Sequence, residues 1–220
     1  MRALVVGNGA EMDSGFIGHR LRQHGYAFTE LPREHPEEWP GLDGAELVLT
    51  LGSEWNVYRP ETAALVEAEA ALIRDVVTAG LPLIAICFGA QVLSHALGGT
   101  VTRTPDPEIG WFELDVDTGV PAGGPWMEWH DDVFTVPEGF AELARTPVGP
   151  QLIRTRRVLA SQFHPEATET MIARWLAEGG AEQLRSRRGD PDELLAQTRA
   201  NVVTSRHRAA DLVDWFLSEQ

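Results

Sequence analysis

Three short aliphatic runs constrain this chain most: "RALVVGN" at residues 2–8, "AELVLTLG" at 45–52 and "LPLIAIC" at 81–87, each closing where the chain must turn. They are too short for buried helices and lack polar alternation, so they read as strands covered on both faces, the signature of a parallel sheet. Between them "GFIGHRLRQHG" and "PETAALVEAEAALIRDVVTAG" read as helices, the second with proline near its start and Gly80 past its end. Strands alternating with helices predict an α/β fold, a mostly parallel sheet with helices on both faces.

From about residue 100 the texture changes. The segments "TVTRTP", "GWFELDVDTG", "DVFTVPEG", "AELARTP", "QLIRT" and "RVLASQFHPE" are short runs divided by Gly, Pro and Asp, and they predict a smaller, partly antiparallel portion. Helices resume at "ETMIARWLAEG". The stretch "RSRRGD" reads as a solvated basic turn, and "PDELLAQTRANVVTSRHRAADLVDWFLSEQ" as a C-terminal helix packed through Leu212, Trp215 and Phe216. The expected organisation is one domain over residues 1–180 with a helical extension over 181–220 on the same body, and 43% hydrophobic residues suffice for one core.

A net charge of −15 opposes binding to nucleic-acid backbones and to anionic membranes. The apolar runs fall far short of the roughly 20 residues of a membrane span, and the N-terminus shows no signal-peptide cleavage pattern, so the expected location is cytoplasmic. A single cysteine excludes an intrachain disulfide and the paired thiolates of structural zinc; no metal site and no cofactor are expected.

That cysteine, Cys87, ends the third run. A lone cysteine in an apolar run is ordinarily a packed core residue. Here, however, the carboxyl end of a parallel strand is where ligands bind, and "GAQVLSHALGG" supplies a following helix whose small first residues permit a sharp turn. This is the cysteine form of a nucleophile elbow, in which the helix N-terminus favours a thiolate and the Phe88 amide is free to face an oxyanion.

A thiolate that attacks an amide needs a base, usually histidine. Of seven histidines, His19, His24, His35, His95 and His207 fall on helices or in polar loops. His164 ends "VLASQFHPE" where Pro165 stops the strand, and Glu166 stands close enough to orient the imidazole. His130, in "EWHDD", is the competing base, disfavoured because it lacks the carboxylate that the His-Pro-Glu setting provides.

The pairing of "ICFGAQ" with "QFHPE" resembles the class I glutamine amidotransferase family, as do "LGSEWNVY", "EIGWFELD" and "EWHDDVF", in the family's order, across roughly residues 45–170. The resemblance implies a flavodoxin-like sheet and a Cys-His-Glu site. Cys87 would then be the nucleophile that forms a γ-glutamyl thioester, His164 the base and acid, and Glu166 the orienter. Gly52 and Phe88 would supply oxyanion amides, while Gln91, Trp129 and His130 would contact the glutamyl group. The chain departs from the family pattern at Ala85, where glycine is usual, and at Leu51-Gly52-Ser53, where Gly-Gly-Pro is usual. The second change predicts a slack oxyanion loop that a substrate or partner would have to order.

The implied reaction is hydrolysis of the γ-glutamyl amide of glutamine, releasing ammonia for a separate synthase, since the chain has no nucleotide-binding P-loop. Two other readings remain open: a γ-glutamyl peptidase acting on γ-glutamyl conjugates, and a catalytically silent binding or thiol-sensor protein on the same fold.

Overall fold

Alternate side chains of one strand enter two separate cores. In a computed structural model that describes Met1 to Gln220, strand β1 (Arg2–Gly7) sends Ala3 and Val5 into one apolar cluster and Leu4 and Val6 into another. A strand has a side-chain period of two, so a run that is aliphatic at every position must be covered twice.

The first cluster is covered by α1 (Gly15–Gln23), through Ile17 and Leu21, and, beyond the short helices α4 (Glu169–Trp175) and α5 (Ala181–Ser186), by α6 (Pro191–Ser218), through Leu212, Val213 and Phe216. The second is covered by α2 (Ala63–Ala79), through Val66, Ala70, Ile73 and Val76, and by α3 (Phe88–Ala96). Burying one such aliphatic or aromatic side chain contributes about 1.5–3 kcal/mol. Asp190 caps α6, its side chain accepting from the Asp192 amide at 2.9 Å, and Arg20 Nε of α1 donates to Asp214 Oδ1 of α6 at 2.7 Å. Helix α6 thus packs on α1 and on the first core of the sheet.

Around β1 the sheet continues with β2 (Ala27–Pro32), β3 (Leu47–Thr50), β4 (Leu83–Ile86), β8 (Ala141–Arg145), β9 (Pro150–Arg154) and β10 (Val158–Ser161), and β6 (Asp115–Val116) closes one edge. The strand order is β2-β1-β3-β4-β10-β9-β8-β6. Pairing is parallel from β2 through β10 and antiparallel from β10 onward. The parallel part has the flavodoxin-like order, which gathers loops at the carboxyl ends of its strands. A separate antiparallel ribbon pairs β5 (Val101–Glu113) with β7 (Pro125–Phe134).

Two elements differ from expectation. Strand β2 is absent from the sequence reading because it is an edge: only Leu31 is buried, and Thr29 and Glu30 face partly outward, so no aliphatic run marks it. The region expected as two strands, at "TVTRTP" and "GWFELDVDTG", is joined in β5, which runs through Pro105 and Pro107 with a register shift between Arg103 and Glu108. Prolines are tolerated there because a bulge removes the need for their missing N–H.

Candidate functional site

Cys87 sits between β4 and α3 with φ 50° and ψ −107°. Only one other non-glycine residue, Arg188, has a positive φ. Such a conformation costs on the order of 1–3 kcal/mol and persists only when its surroundings impose it. Here the Cys87 amide donates to Ser161 O at 2.7 Å, and its carbonyl accepts from the Gln91 amide at 3.0 Å. Gly89 allows the packing: a Cβ there would lie 2.3 Å from Thr50 Oγ1 and 2.7 Å from Thr50 O, so α3 presses onto the end of β3.

His164 leaves β10 at the same edge of the sheet, its amide donating to Met127 O at 2.8 Å. Its Nδ1 is 2.8 Å from Glu166 Oε1. Nε2 is buried and has no hydrogen-bond partner. Burial opposes the imidazolium, but the Glu166 carboxylate and the Cys87 sulfur outweigh it and hold the His164 pKa well above its ordinary value. A protonated His164 therefore presents a proton on Nε2 toward the sulfur, with the Trp175 ring 4.9 Å from the imidazole.

Gly52 closes the group. A Cβ on it would be 3.1 Å from His164 Cε1 and 3.6 Å from Cys87 Cβ, so a side chain would crowd the imidazole. Its N–H has no acceptor within the protein. The loop expected to be slack is held from behind: Arg33 donates to Leu51 O at 3.0 Å and to Gly52 O at 2.9 Å, and pairs with Glu69. A buried guanidinium thus grips both carbonyls of a loop that lacks the usual proline. Phe88, the first residue of α3, carries its amide at the helix start while its ring is buried in the second core.

Cys87, His164, Glu166 and Gly52 open onto a cleft of about 410 Å³, lined also by Glu11, Trp55, Tyr58, Trp129 and Gln183. Trp129 places its carbonyl 3.9 Å from Cys87 Sγ and its ring edge-on to Trp175. Gln91 is buried, its Nε2 directed at Gln162 Oε1 (3.2 Å) and Asp132 O (3.5 Å), which leaves Oε1 as its remaining polar atom. Gln162 itself escaped the sequence reading. Its Nε2 lies 3.4 Å from Cys87 Sγ, and the one available signal was its place two residues before His164 at the end of a strand.

His130 requires a correction. Far from lacking carboxylates, its Nε2 is 3.1 Å from Glu108 Oε2 and 3.3 Å from Glu128 Oε2, and its Nδ1–H donates to Asp132 O at 3.0 Å. Both ring nitrogens have partners within the protein, while His130 still lines the cleft. Burial opposes its charge, but the bonds to Glu108 and Glu128 prevail and raise its pKa to about 10. Glu108, Glu128 and His130 are also the one buried group whose ligand-type atoms, within 4.8 Å of one another, match a metal site. Glu108 Oε2, however, already accepts from Thr146 and Gln151, each at 3.0 Å, besides His130, which makes it the centre of a hydrogen-bond network. No helix is long and apolar enough to cross a membrane.

The family model of class-I glutamine amidotransferases matches residues 17–179. The glutamine-hydrolyzing GMP synthase of Corynebacterium glutamicum is 29% identical over 214 residues, covering 90% of this chain and 39% of that protein. The corresponding enzyme of Aeropyrum pernix is 33% identical over 196 residues, covering 81% of this chain and 36% of that protein. The chain thus spans about two fifths of the length of these curated relatives. A glutamine amidotransferase structure from Thermotoga maritima superposes with a TM-score of 0.86 over 98% of this chain and 97% of that one, at 23% identity, which is a likeness of fold.

Proposed function

This chain belongs to the class-I glutamine amidotransferase family, and from that premise we propose that it hydrolyses the γ-glutamyl amide of glutamine through a thioester on Cys87. The observation that carries this reading is the buried, unpartnered His164 Nε2 beside the sulfur of a strained elbow, its other nitrogen held by Glu166.

The thiolate of Cys87 attacks the side-chain amide carbon of glutamine, and the carbonyl oxygen takes up charge facing the Gly52 and Phe88 amides. His164 donates the Nε2 proton to the nitrogen, the C–N bond breaks, and ammonia leaves. Neutral His164 then takes a proton from water as the water attacks the thioester, and collapse releases glutamate and regenerates the thiolate–imidazolium pair. Glu166 orients and stabilises the imidazolium without itself moving a proton. Gln162 and the Trp129 carbonyl flank the sulfur, and Gln91 Oε1 and the Trp129 face are the groups proposed to meet the glutamyl moiety.

The ammonia would serve an acceptor site outside these 220 residues, as the glutamine-hydrolyzing name of the GMP synthase relatives suggests. One observation favours a second reading. The cleft continues past Cys87 to Trp55, Tyr58 and Arg103, room for a leaving group larger than ammonia, as in a γ-glutamyl conjugate.

The test is to incubate the purified chain, and its Cys87→Ala variant, with glutamine and with γ-glutamyl dipeptides, and to measure glutamate and released amine. Cys87-dependent glutamate and ammonia from glutamine are expected. Faster release from the dipeptides would transfer the assignment to the conjugates, and activity that survives Cys87→Ala would refute the thioester.

A further inference from the structure

Arg33 and Glu69 form a charge pair at the centre of the fold, each side chain 1% exposed. Their bond is 2.9 Å from Nε to Oε2, with Nη2 3.3 Å from Oε1. Beyond Glu69, Nη2 donates to Leu51 O at 3.0 Å, and Nη1 donates to Gly52 O at 2.9 Å and to Asn8 Oδ1 at 2.7 Å. All five N–H donors of the guanidinium are thus spent. A buried ion pair is rarely more stabilising than well-packed apolar residues of the same volume. What an arginine alone supplies is a flat, rigid fork that fixes several acceptors in one plane.

That fork acts on the backbone of the oxyanion loop. The structure has no cis peptide bonds, so in the planar peptide joining Leu51 to Gly52 the carbonyl and the N–H point in opposite directions. Because Leu51 O is bound to Arg33, the Gly52 N–H must point away from the guanidinium. Gly52 O is bound to the same group, so the peptides on both sides of the Gly52 Cα are fixed together. The Arg33 Cζ also lies 4.8 Å over the ring of Phe88, whose amide is the second proposed oxyanion donor.

We infer that Arg33, held by Glu69, is the positioning residue of the oxyanion hole: it aims the Gly52 N–H by gripping the carbonyls on either side and braces Phe88. This rests on the proposed thioester reaction and adds to it the element that replaces the Gly-Gly-Pro loop rigidity absent here. Arg33 does not touch the reacting atoms, so its loss acts on turnover and leaves the Cys87–His164 pair intact.

The experiment uses the full chain, with kcat and KM for γ-glutamyl hydrolysis, the rate of Cys87 alkylation by iodoacetamide, and Tm. Arg33→Lys keeps the charge but replaces the planar five-donor fork with three donors on one nitrogen. Arg33→Met combined with Glu69→Leu removes both charges at similar volume, so that folding is retained. Both are expected to lower kcat at least about tenfold, with KM and the alkylation rate within about twofold of wild type. A double variant that folds with kcat within about twofold of wild type would overturn the positioning role while leaving the thioester reading in place. A fall in Tm and alkylation matching the fall in kcat would equally overturn it, reducing the pair to general support. Absence of any γ-glutamyl hydrolysis in the wild-type chain would overturn the underlying reaction and this inference with it.

Discussion

Two buried histidines stand on the wall of one cleft, each beside carboxylates and each with a raised pKa, yet their ring nitrogens are partnered differently. His164 gives Nδ1 to Glu166 and keeps Nε2 without a partner. His130 gives Nδ1 to the Asp132 carbonyl and lies with Nε2 between Glu108 and Glu128. A carboxylate neighbour therefore does not distinguish a base from a structural cation. The distinguishing feature is a ring nitrogen left over after the imidazole has been oriented, because a nitrogen already spent on a carboxylate cannot also take a proton from a reacting group.

The largest effect should fall on the reacting pair. Cys87→Ser and His164→Ala are each expected to reduce kcat/KM for γ-glutamyl hydrolysis by at least about 10³-fold. Steady-state kinetics beside His130→Ala gives the direct comparison; if that variant lost activity while His164→Ala retained it, the two histidines would exchange roles. Glu166→Gln should cost less, about 10- to 100-fold in kcat, because the proton-transferring nitrogen survives while its orientation and charge support weaken. It should also move the His164 titration downward, since Glu166 is the leading influence that raises it. An unchanged alkaline limb in the pH profile of kcat/KM, where loss of the Nε2 proton ends activity, would mean that Glu166 does not act on His164.

How much of this was legible in the sequence depends on how far each signal had to reach. The parallel half was readable because β1, β3 and β4 each carry at least three consecutive aliphatic residues, the pattern of a strand buried on both faces. Strand β2 left no such mark because an edge strand has one wet side. The elbow was readable because strand, cysteine and small residues are consecutive, and Glu166 because it lies two positions from His164. Arg33 and Glu69 were not readable: 36 residues separate them and each looks like an ordinary surface charge until the fold buries it. Glu108 is likewise 22 residues from His130, and the register of β5 against β7, which no local pattern states, brings the two together. Long-range polar contacts such as Glu108 are set by topology, but Glu128 lies two positions before His130, as near as Glu166 is to His164, and the expectation that His130 lacked a carboxylate passed over it.

His130→Asn sharpens the comparison from the structural side. Removing one partner of a buried charged group leaves the others without compensation, at a cost of about 3–5 kcal/mol. In a chain of this size that corresponds to a Tm lowered by roughly 10 °C, measurable by calorimetry. Turnover should fall by less than about tenfold, because the variant disturbs the strand that carries Trp129 but spares the proton path. A loss of kcat as large as that of His164→Ala, in protein with an unchanged Tm, would place His130 in the chemistry.

Glu128→Gln should produce the smallest change in turnover, within about twofold at neutral pH, and a distinctive change in stability. Burial raises the Glu128 pKa from 4.5 to about 7, opposed by its bond to His130, and the charges that face it are His130, Glu108 and His164. Neither of its oxygens has a hydrogen bond of good geometry. Between those two values the folded protein holds a proton that the unfolded chain has released, so this group makes stability decline as pH rises through that window. Above about 7 the carboxyl is ionised in both states and its contribution to the slope ends. His130 acts in a higher window: its pKa is raised from 6.5 to about 10, so its contribution is full below the first value and is lost as pH rises through the second. The glutamine variant cannot ionise, and Glu108 still holds His130. Its Tm should therefore fall less than that of wild type between pH 5 and 7, by about a few degrees, while the decline above neutrality persists. Parallel Tm curves for the two proteins from pH 5 to 7 would mean that Glu128 is ionised throughout. His130 would then sit between two full charges, a more strongly held cation than His164 and still less able to serve as a base.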